Sequence, residues 1–99
     1  MDISALLEAA IAATGATSER QLALRMELNP SALALWRRGR TLPTDENIVS
    51  LCELAGIAPE AGLMALNMWR SQGRARAIYG DMAHRLRLDL APAPTSKSA

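Results

Sequence analysis

Helix start and stop signals divide this chain of 99 residues into short segments. Glycine is common just after the last turn of a helix, and Ser, Asn or Thr just before the first turn, where the side chain caps a free amide. Proline suits the first helical position, because the amide it lacks would be unpaired there anyway. The stop signals are Gly15, Gly39, Gly56 and Gly73, and the start signals are Ser18, Asn29, Pro30, Thr44 and Pro59. These signals favour a series of short helices joined by tight turns.

The apolar residues between these signals recur at helical spacing. In the first segment, residues 3–14, Ile3, Leu6 and Leu7 begin the i, i+3, i+4 pattern that places side chains on one face. The same reasoning predicts helices over residues 18–26, 30–38, 45–55, 59–72 and 74–88. No strand pattern is present. We therefore predict an all-α fold, a bundle of five or six helices around one core.

The inward faces of these helices define a candidate core of mostly aliphatic side chains. Trp36 shares a face with Leu33, three residues earlier, so we expect it to anchor the core. The other residues predicted to face inward are Leu22, Ala23, Met26, Leu28, Ile48, Leu51, Cys52, Ala55, Leu63, Leu66 and either Trp69 or Arg70. The predicted organisation is a domain over residues 1–72, a C-terminal helix within residues 73–90, and a disordered tail over residues 91–99, which are small and include prolines.

Composition argues against several function classes. No apolar run approaches the ~20 residues of a membrane helix. The N-terminus lacks the basic segment of a secretory signal, so we expect a cytoplasmic protein. Cys52 is the only cysteine and His84 the only histidine, which argues against an internal disulfide or a His/Cys metal centre. With no nucleophile–base pair or phosphate-binding loop, we expect no enzyme activity, cofactor, metal or small-molecule ligand.

Charge is unevenly distributed, although the formal net charge is only +1. Between Glu19 and Pro43, five arginines stand against two glutamates. Between Arg70 and Arg87, five arginines stand against one aspartate. A nearly neutral chain with such basic segments can present a basic face to nucleic acid.

Two of the predicted helices meet at a short turn, Glu27-Leu28-Asn29. Short helices joined in this way have the geometry of a helix-turn-helix. In that motif the second helix enters the DNA major groove with its N-terminal residues near base edges, and free amides at helix starts bind phosphate. The helix that begins at Pro30 is therefore the candidate recognition helix.

The residues around this turn resemble the Cro/repressor, or XRE-like, helix-turn-helix family. They are Leu22-Ala23, Leu28-Asn29, Leu33, Trp36-Arg37-Arg38-Gly39-Arg40 and Pro43, and the resemblance covers residues 3–70. The segment from Arg74 to Leu86 also resembles the added helix of small phage regulators. The resemblance implies a lambda-repressor-like bundle that binds double-stranded DNA in the bacterial nucleoid. It further implies a transcriptional regulator, a phage or prophage-type repressor.

The resemblance also implies which residues contact DNA. Ser31 would hydrogen-bond to base edges, and Ala32 and Leu35 would contact thymine methyl groups. The candidates for phosphate or groove contact are Arg37, Arg38 and Arg40 around the end of the recognition helix, and Ser18, Gln21, Asn29 and Pro30 at two helix starts. This small set of hydrogen-bonding side chains shifts the expected discrimination toward phosphate contacts and DNA shape.

Two glutamates fit this resemblance less well, and the few hydrogen-bonding side chains of the recognition helix leave a second interpretation open. Glu27 stands in the turn where the family often has glycine. Glu19 lies near the expected phosphates and would repel them unless a cation neutralises it. The apolar residues Ala32 and Leu35 also suit a protein-interaction module, such as an antitoxin, that uses the same frame to bind a protein partner.

The last predicted helix carries an apolar seam with two interpretations. Ala75, Tyr79, Met82 and Leu86 recur at spacings of four, three and four residues. The seam either folds back onto residues 3–11 and the fifth helix, or it pairs with a second copy. In a homodimer, which would read two DNA half-sites, the candidate contacts are Tyr79, Met82 and Leu86. The nearby arginines, either solvated or a second phosphate-contact patch, are Arg70, Arg74 and Arg76.

Overall fold

The computed structural model describes residues 2–86, which form six α-helices and no strand. They are α1 (Ile3–Thr14), α2 (Glu19–Arg25), α3 (Pro30–Arg37), α4 (Asp45–Ala55), α5 (Pro59–Arg70) and α6 (Gly73–Leu86). The predicted all-α fold is confirmed. The predicted tail over residues 91–99 lies outside the described residues, as do residues 87–88 at the predicted end of the last helix.

Side-chain caps fix the starts of the first four helices. In each case a side-chain oxygen of the residue before the helix accepts a hydrogen bond from a first-turn amide. The capping residues are Asp2, Ser18, Asn29 and Thr44. Gln21 differs in one detail from a standard capping box, because its Oε1 accepts from the Thr17 amide at 3.0 Å. The start signals read from the sequence therefore mark real helix boundaries.

The structure corrects the predicted end of the fifth helix. Gly73 does not close α5 but begins α6, with a φ of 58°. The helix ends earlier, at Arg70, where the Ser71 hydroxyl donates to the Asn67 carbonyl at 2.7 Å. Ser71 is extended, so the chain changes direction between α5 and α6.

One cluster of buried side chains joins α1 to α5. The predicted inward faces of α2, α3 and α4 are buried, and Trp36 is only 4% exposed. Met26 and Leu28 pack against the cluster while remaining partly exposed. The fully buried large side chains are Leu6, Leu7, Leu22, Leu33, Ile48, Leu51, Cys52 and Leu66. Trp36 is therefore a core residue, as predicted.

The core-facing side of α5 differs from the prediction. Leu66 is buried as expected, but Leu63 and Trp69 only pack against the edge of the core, and Arg70 is exposed. Small residues make the closest approach instead, because a Cβ at Gly62 would overlap Sγ of Cys52 on α4. Burial raises the pKa of Cys52 to about 11, so its thiol stays neutral near pH 7.

The helices pack in a series that separates two outer elements. α4 lies between α1 and α5, and α2 and α3 lie beside α1. Within residues 2–86, α6 lies beside α5 and no other helix. In one interpretation of its apolar seam, α6 folds back onto both residues 3–11 and the fifth helix. Among the described residues, the structure shows contact with α5 but none with α1. The α2–α3 unit, residues 18–38, and α6 lie at opposite ends of the series.

The turn between α2 and α3 is a complete Schellman motif. The Leu28 amide donates to the Ala23 carbonyl at 2.9 Å, and the Glu27 amide donates to the Leu24 carbonyl at 3.1 Å. This geometry requires a left-handed residue, and Glu27 takes that position with a φ of 58°. It is the only residue other than glycine with a positive φ among those described. The turn that sets the angle between the two helices therefore carries backbone strain.

Glycine at this position should relieve the strain. Because a left-handed conformation costs a residue with a Cβ roughly 1–2 kcal/mol, we expect Glu27→Gly to raise the free energy of unfolding by about 1 kcal/mol in urea titrations. The control is Arg25→Gly in the last turn of α2, which should lower the same free energy by up to about 1 kcal/mol. A Glu27→Gly variant no more stable than the parent would contradict this account of the turn.

Candidate nucleic-acid interface

One face of α3 points away from the core. Ser31, Leu35 and Arg38 follow each other at i, i+4 and i+7, and all three are exposed. Leu33 and Trp36 occupy the opposite, buried face. We call Ser31, Leu35 and Arg38 the α3 stripe. Its residues belong to the set that the sequence predicts for DNA contact.

The surroundings of α3 leave this stripe uncovered. Within the described residues, α3 lies beside α1 and α2 only. Leu35 is 38% exposed, a high value for a leucine flanked by a core tryptophan. Ala32 is half-buried, so it contributes only the edge of its methyl group to the surface. The geometry therefore presents a short amphipathic helix with its outer face open to a partner.

The start of α3 is held by the predicted cap. Asn29 Oδ1 accepts hydrogen bonds from the Ser31 amide at 3.0 Å and from Ser31 Oγ at 2.9 Å. Pro30 contributes no amide, and the Ala32 amide donates to the Asn29 carbonyl at 2.9 Å. The first amides of α3 therefore already have partners within the protein. An anion at this helix start would compete with the Asn29 cap.

The start of α2 carries the other two candidates for backbone contact. Ser18 Oγ accepts from the Gln21 amide at 3.2 Å, and the Gln21 side chain returns to the Thr17 amide. Both side chains are exposed. In this position they cap α2, and only their remaining hydrogen-bonding groups are available to a ligand.

Arg37 ties three helices together. Its Nε donates to Glu19 Oε1 on α2 at 2.7 Å, and its Nη2 donates to Glu8 Oε2 on α1 at 2.9 Å. We call this arrangement of Arg37, Glu8 and Glu19 the Arg37 clasp. It fixes the C-terminal turn of α3 against the two helices beside it.

The clasp also changes the electrostatics of the surface. The hydrogen bond to Glu19 is the main reason that the pKa of Arg37 is raised above its ordinary value. This cation pairs with Glu19 and so weakens the repulsion of phosphate expected from Glu19, although the clasp as a whole carries a formal charge of −1 because Glu8 shares the same guanidinium. Arg37 in turn has fewer donors free for a phosphate than its neighbours.

The remaining arginines near the α3 stripe have no such partners. Within residues 2–86, no carboxylate forms an ion pair with Arg20, Arg38 or Arg40, and all three are exposed. Arg70, by contrast, pairs with Asp45 at 2.6 Å. Arg25 on α2 is also exposed and forms no ion pair among the described residues, so the α2–α3 unit and the loop after it keep four unpaired positive charges at the surface.

The structure places the second apolar surface on α6. Met82 is 40% exposed and Ile78, which the predicted seam omits, is 56% exposed. Tyr79 is half-buried, and the side chain of Leu86 lies outside the described part of the chain. The exposed apolar pair of α6 is therefore Ile78 and Met82 rather than Tyr79 and Met82.

The described part of the chain lacks two other kinds of site. None of its helices combines the length and apolarity that crossing a bilayer requires. No group of three or more His, Cys, Asp or Glu side chains there is arranged to hold a metal ion.

Comparisons with protein-family models, with curated proteins and with solved structures found no match.

Removing the clasp should loosen the α2–α3 unit. Arg37 and Glu19 are half-buried while Glu8 is exposed, so we expect Arg37→Ala to lower the free energy of unfolding by on the order of 1 kcal/mol. Urea titrations followed by tryptophan fluorescence would measure this change. The matched control is Arg38→Ala, an exposed neighbour without an ion pair, which should change the free energy of unfolding by less than about 0.5 kcal/mol. Equal stability of the two variants would show that the clasp contributes nothing to folding.

Proposed function

We propose that this protein is a transcriptional regulator that binds double-stranded DNA through the α2–α3 unit. In the proposed mechanism, α3 occupies the major groove, and the bound protein blocks or recruits polymerase. The regulator would act in the bacterial cytoplasm, as a phage or prophage-type repressor. The proposal includes no cofactor, metal or catalytic step.

The observation that supports this proposal most strongly is the exposed stripe of α3. A helix needs an uncovered face and a rigid support to enter a groove about 12 Å wide. Here the support consists of Leu33 and Trp36 in the core, the Schellman turn before α3, and the clasp at its end. The uncovered face then begins with Ser31, where the motif brings base edges closest.

The distribution of free charge supports the same proposal. Phosphate contacts supply most of the non-specific affinity of DNA-binding proteins. Arg38 is the last residue of the stripe and Arg40 lies in the loop after α3, so both would meet a strand beside the groove. The sequence prediction that Arg37 contacts phosphate stays a prediction, since its donors already serve Glu8 and Glu19.

We also propose that the regulator binds as a homodimer through α6. This helix lies beside α5 alone within residues 2–86, and it exposes Ile78 and Met82 one turn apart. Because α6 and the α2–α3 unit do not touch, pairing through α6 leaves the α3 stripe free. Two copies would then present two recognition helices to a symmetric site.

A protein-interaction module remains the second candidate function. The observation that favours it is Leu24 on α2, which is 60% exposed, together with Leu35 on α3. Apolar contact with a protein partner, such as a toxin, would bury both leucines. Such an interface has little dependence on salt, whereas DNA binding weakens steeply as salt rises.

Salt dependence separates the two candidates. For a random-sequence duplex followed by fluorescence anisotropy, we expect Arg38→Ala and Arg40→Ala each to lower the slope of log K against log salt by about 0.9, the value of one phosphate contact. Arg37→Ala should change the slope less. Arg76→Ala on α6 is the matched control, and its slope should equal that of the parent.

Two results would contradict the assignment. If the slope of log K against log salt is unchanged in Arg38→Ala and Arg40→Ala, these arginines do not contact phosphate. A larger effect of Arg76→Ala would place the phosphate contacts on α6 instead of α3.

A further inference from the structure

The first two turns of α3 offer a small set of groups to a base edge. Ser31 is the only residue there with an exposed polar side chain, and Leu35 is the most exposed apolar one. The next hydrogen-bond donor on the stripe is Arg38, almost a full turn beyond Leu35. Direct readout by this part of α3 therefore depends on Ser31 and Leu35.

The hydroxyl proton of Ser31 already has a partner. Asn29 Oδ1 accepts from both the Ser31 amide and Ser31 Oγ, at 3.0 Å and 2.9 Å. A backbone amide can only donate, so the Asn29 atom that faces it is the oxygen. That oxygen has no proton to give, and the hydroxyl must therefore donate to it. What Ser31 keeps for a ligand is the acceptor capacity of Oγ.

Base edges in the major groove differ in what they require. Adenine N6 and cytosine N4 carry amines that donate, thymine carries a C5 methyl group, and guanine presents only the acceptors N7 and O6. An acceptor and an apolar side chain four residues apart on one helix face match an amine and a nearby methyl group. The same pair offers no donor to guanine.

We infer that α3 selects its half-site through an amine–methyl pair. Ser31 Oγ accepts a hydrogen bond from the exocyclic amine of adenine or cytosine, and Leu35 contacts the C5 methyl of a nearby thymine. Guanine is disfavoured opposite Ser31, because its acceptors would lose water without gaining a donor. This inference rests on the proposed function and specifies which duplexes the site takes.

The methyl contact is tested by deleting the methyl group from DNA. Duplexes are first enriched from a random pool with the full chain, and single thymines are then replaced by uracil, which lacks only the C5 methyl. We expect one such replacement to weaken parent binding about fourfold, the value of one buried methyl-sized group. Leu35→Ala should bind the thymine and uracil duplexes equally. Leu24→Ala, which makes the same truncation on α2, should keep the fourfold difference.

The amine contact is tested in the same way. The candidate adenine or cytosine is replaced by the analogue that lacks only the exocyclic amine. We expect parent binding to fall by about twofold to tenfold, the range for one hydrogen bond. Binding by Ser31→Ala should be equal with and without the amine. Ser31→Thr keeps the hydroxyl, so its binding should again weaken when the amine is removed.

The outcomes separate this inference from the function beneath it. If enriched duplexes bind tightly but the uracil replacement shows no coupling to Leu35, or the amine deletion shows no coupling to Ser31, the amine–methyl pair is overturned and DNA binding remains intact. If no duplex is enriched and random-sequence DNA does not bind at low salt, the proposed function fails and the inference fails with it.

Discussion

The burial of one side of α3 is the constraint on which the candidate interface depends. This helix has only eight residues, and helices so short are not stable alone in water. Leu33 and Trp36 hold it in the core, with relative exposures of 0% and 4%. Because they occupy one face, helical geometry turns Ser31, Leu35 and Arg38 to the opposite face. The residues that stabilise α3 therefore also determine which residues it presents.

Two further features fix the angle of α3. The Schellman turn fixes the N-terminal end of α3 and requires a left-handed Glu27. The Arg37 clasp fixes the C-terminal end by joining α3 to α1 and α2. The clasp uses an arginine within a basic segment to pair with Glu8 and Glu19, so part of the formal positive charge serves the fold. Among the described residues, the free positive charge that remains in this segment lies on Arg20, Arg25, Arg38 and Arg40, one fewer than a count of its arginines suggests.

Local signals in the sequence predicted most of the fold. Caps at Ser18, Asn29 and Thr44 depend on neighbouring residues and could be read directly. Contacts between distant residues could not: Glu8 and Arg37 are 29 positions apart, and no local pattern pairs them. The predicted buried face of α5 was partly wrong for a similar reason, because the close packing of Gly62 on Cys52 depends on how two helices meet. The choice of Ile78 over Tyr79 as the exposed residue of α6 likewise depends on where α5 lies.

Backbone amide shifts test most directly whether α3 is the surface that meets a duplex. Isotopically labelled protein would be titrated at low salt with a random-sequence duplex, since phosphate contacts alone suffice for binding under that condition. If α3 is that surface, the largest amide shift changes cluster between residues 29 and 40, with smaller ones at the start of α2. Changes concentrated on α5 and α6, or a spectrum that DNA leaves unaltered, would contradict this role for α3.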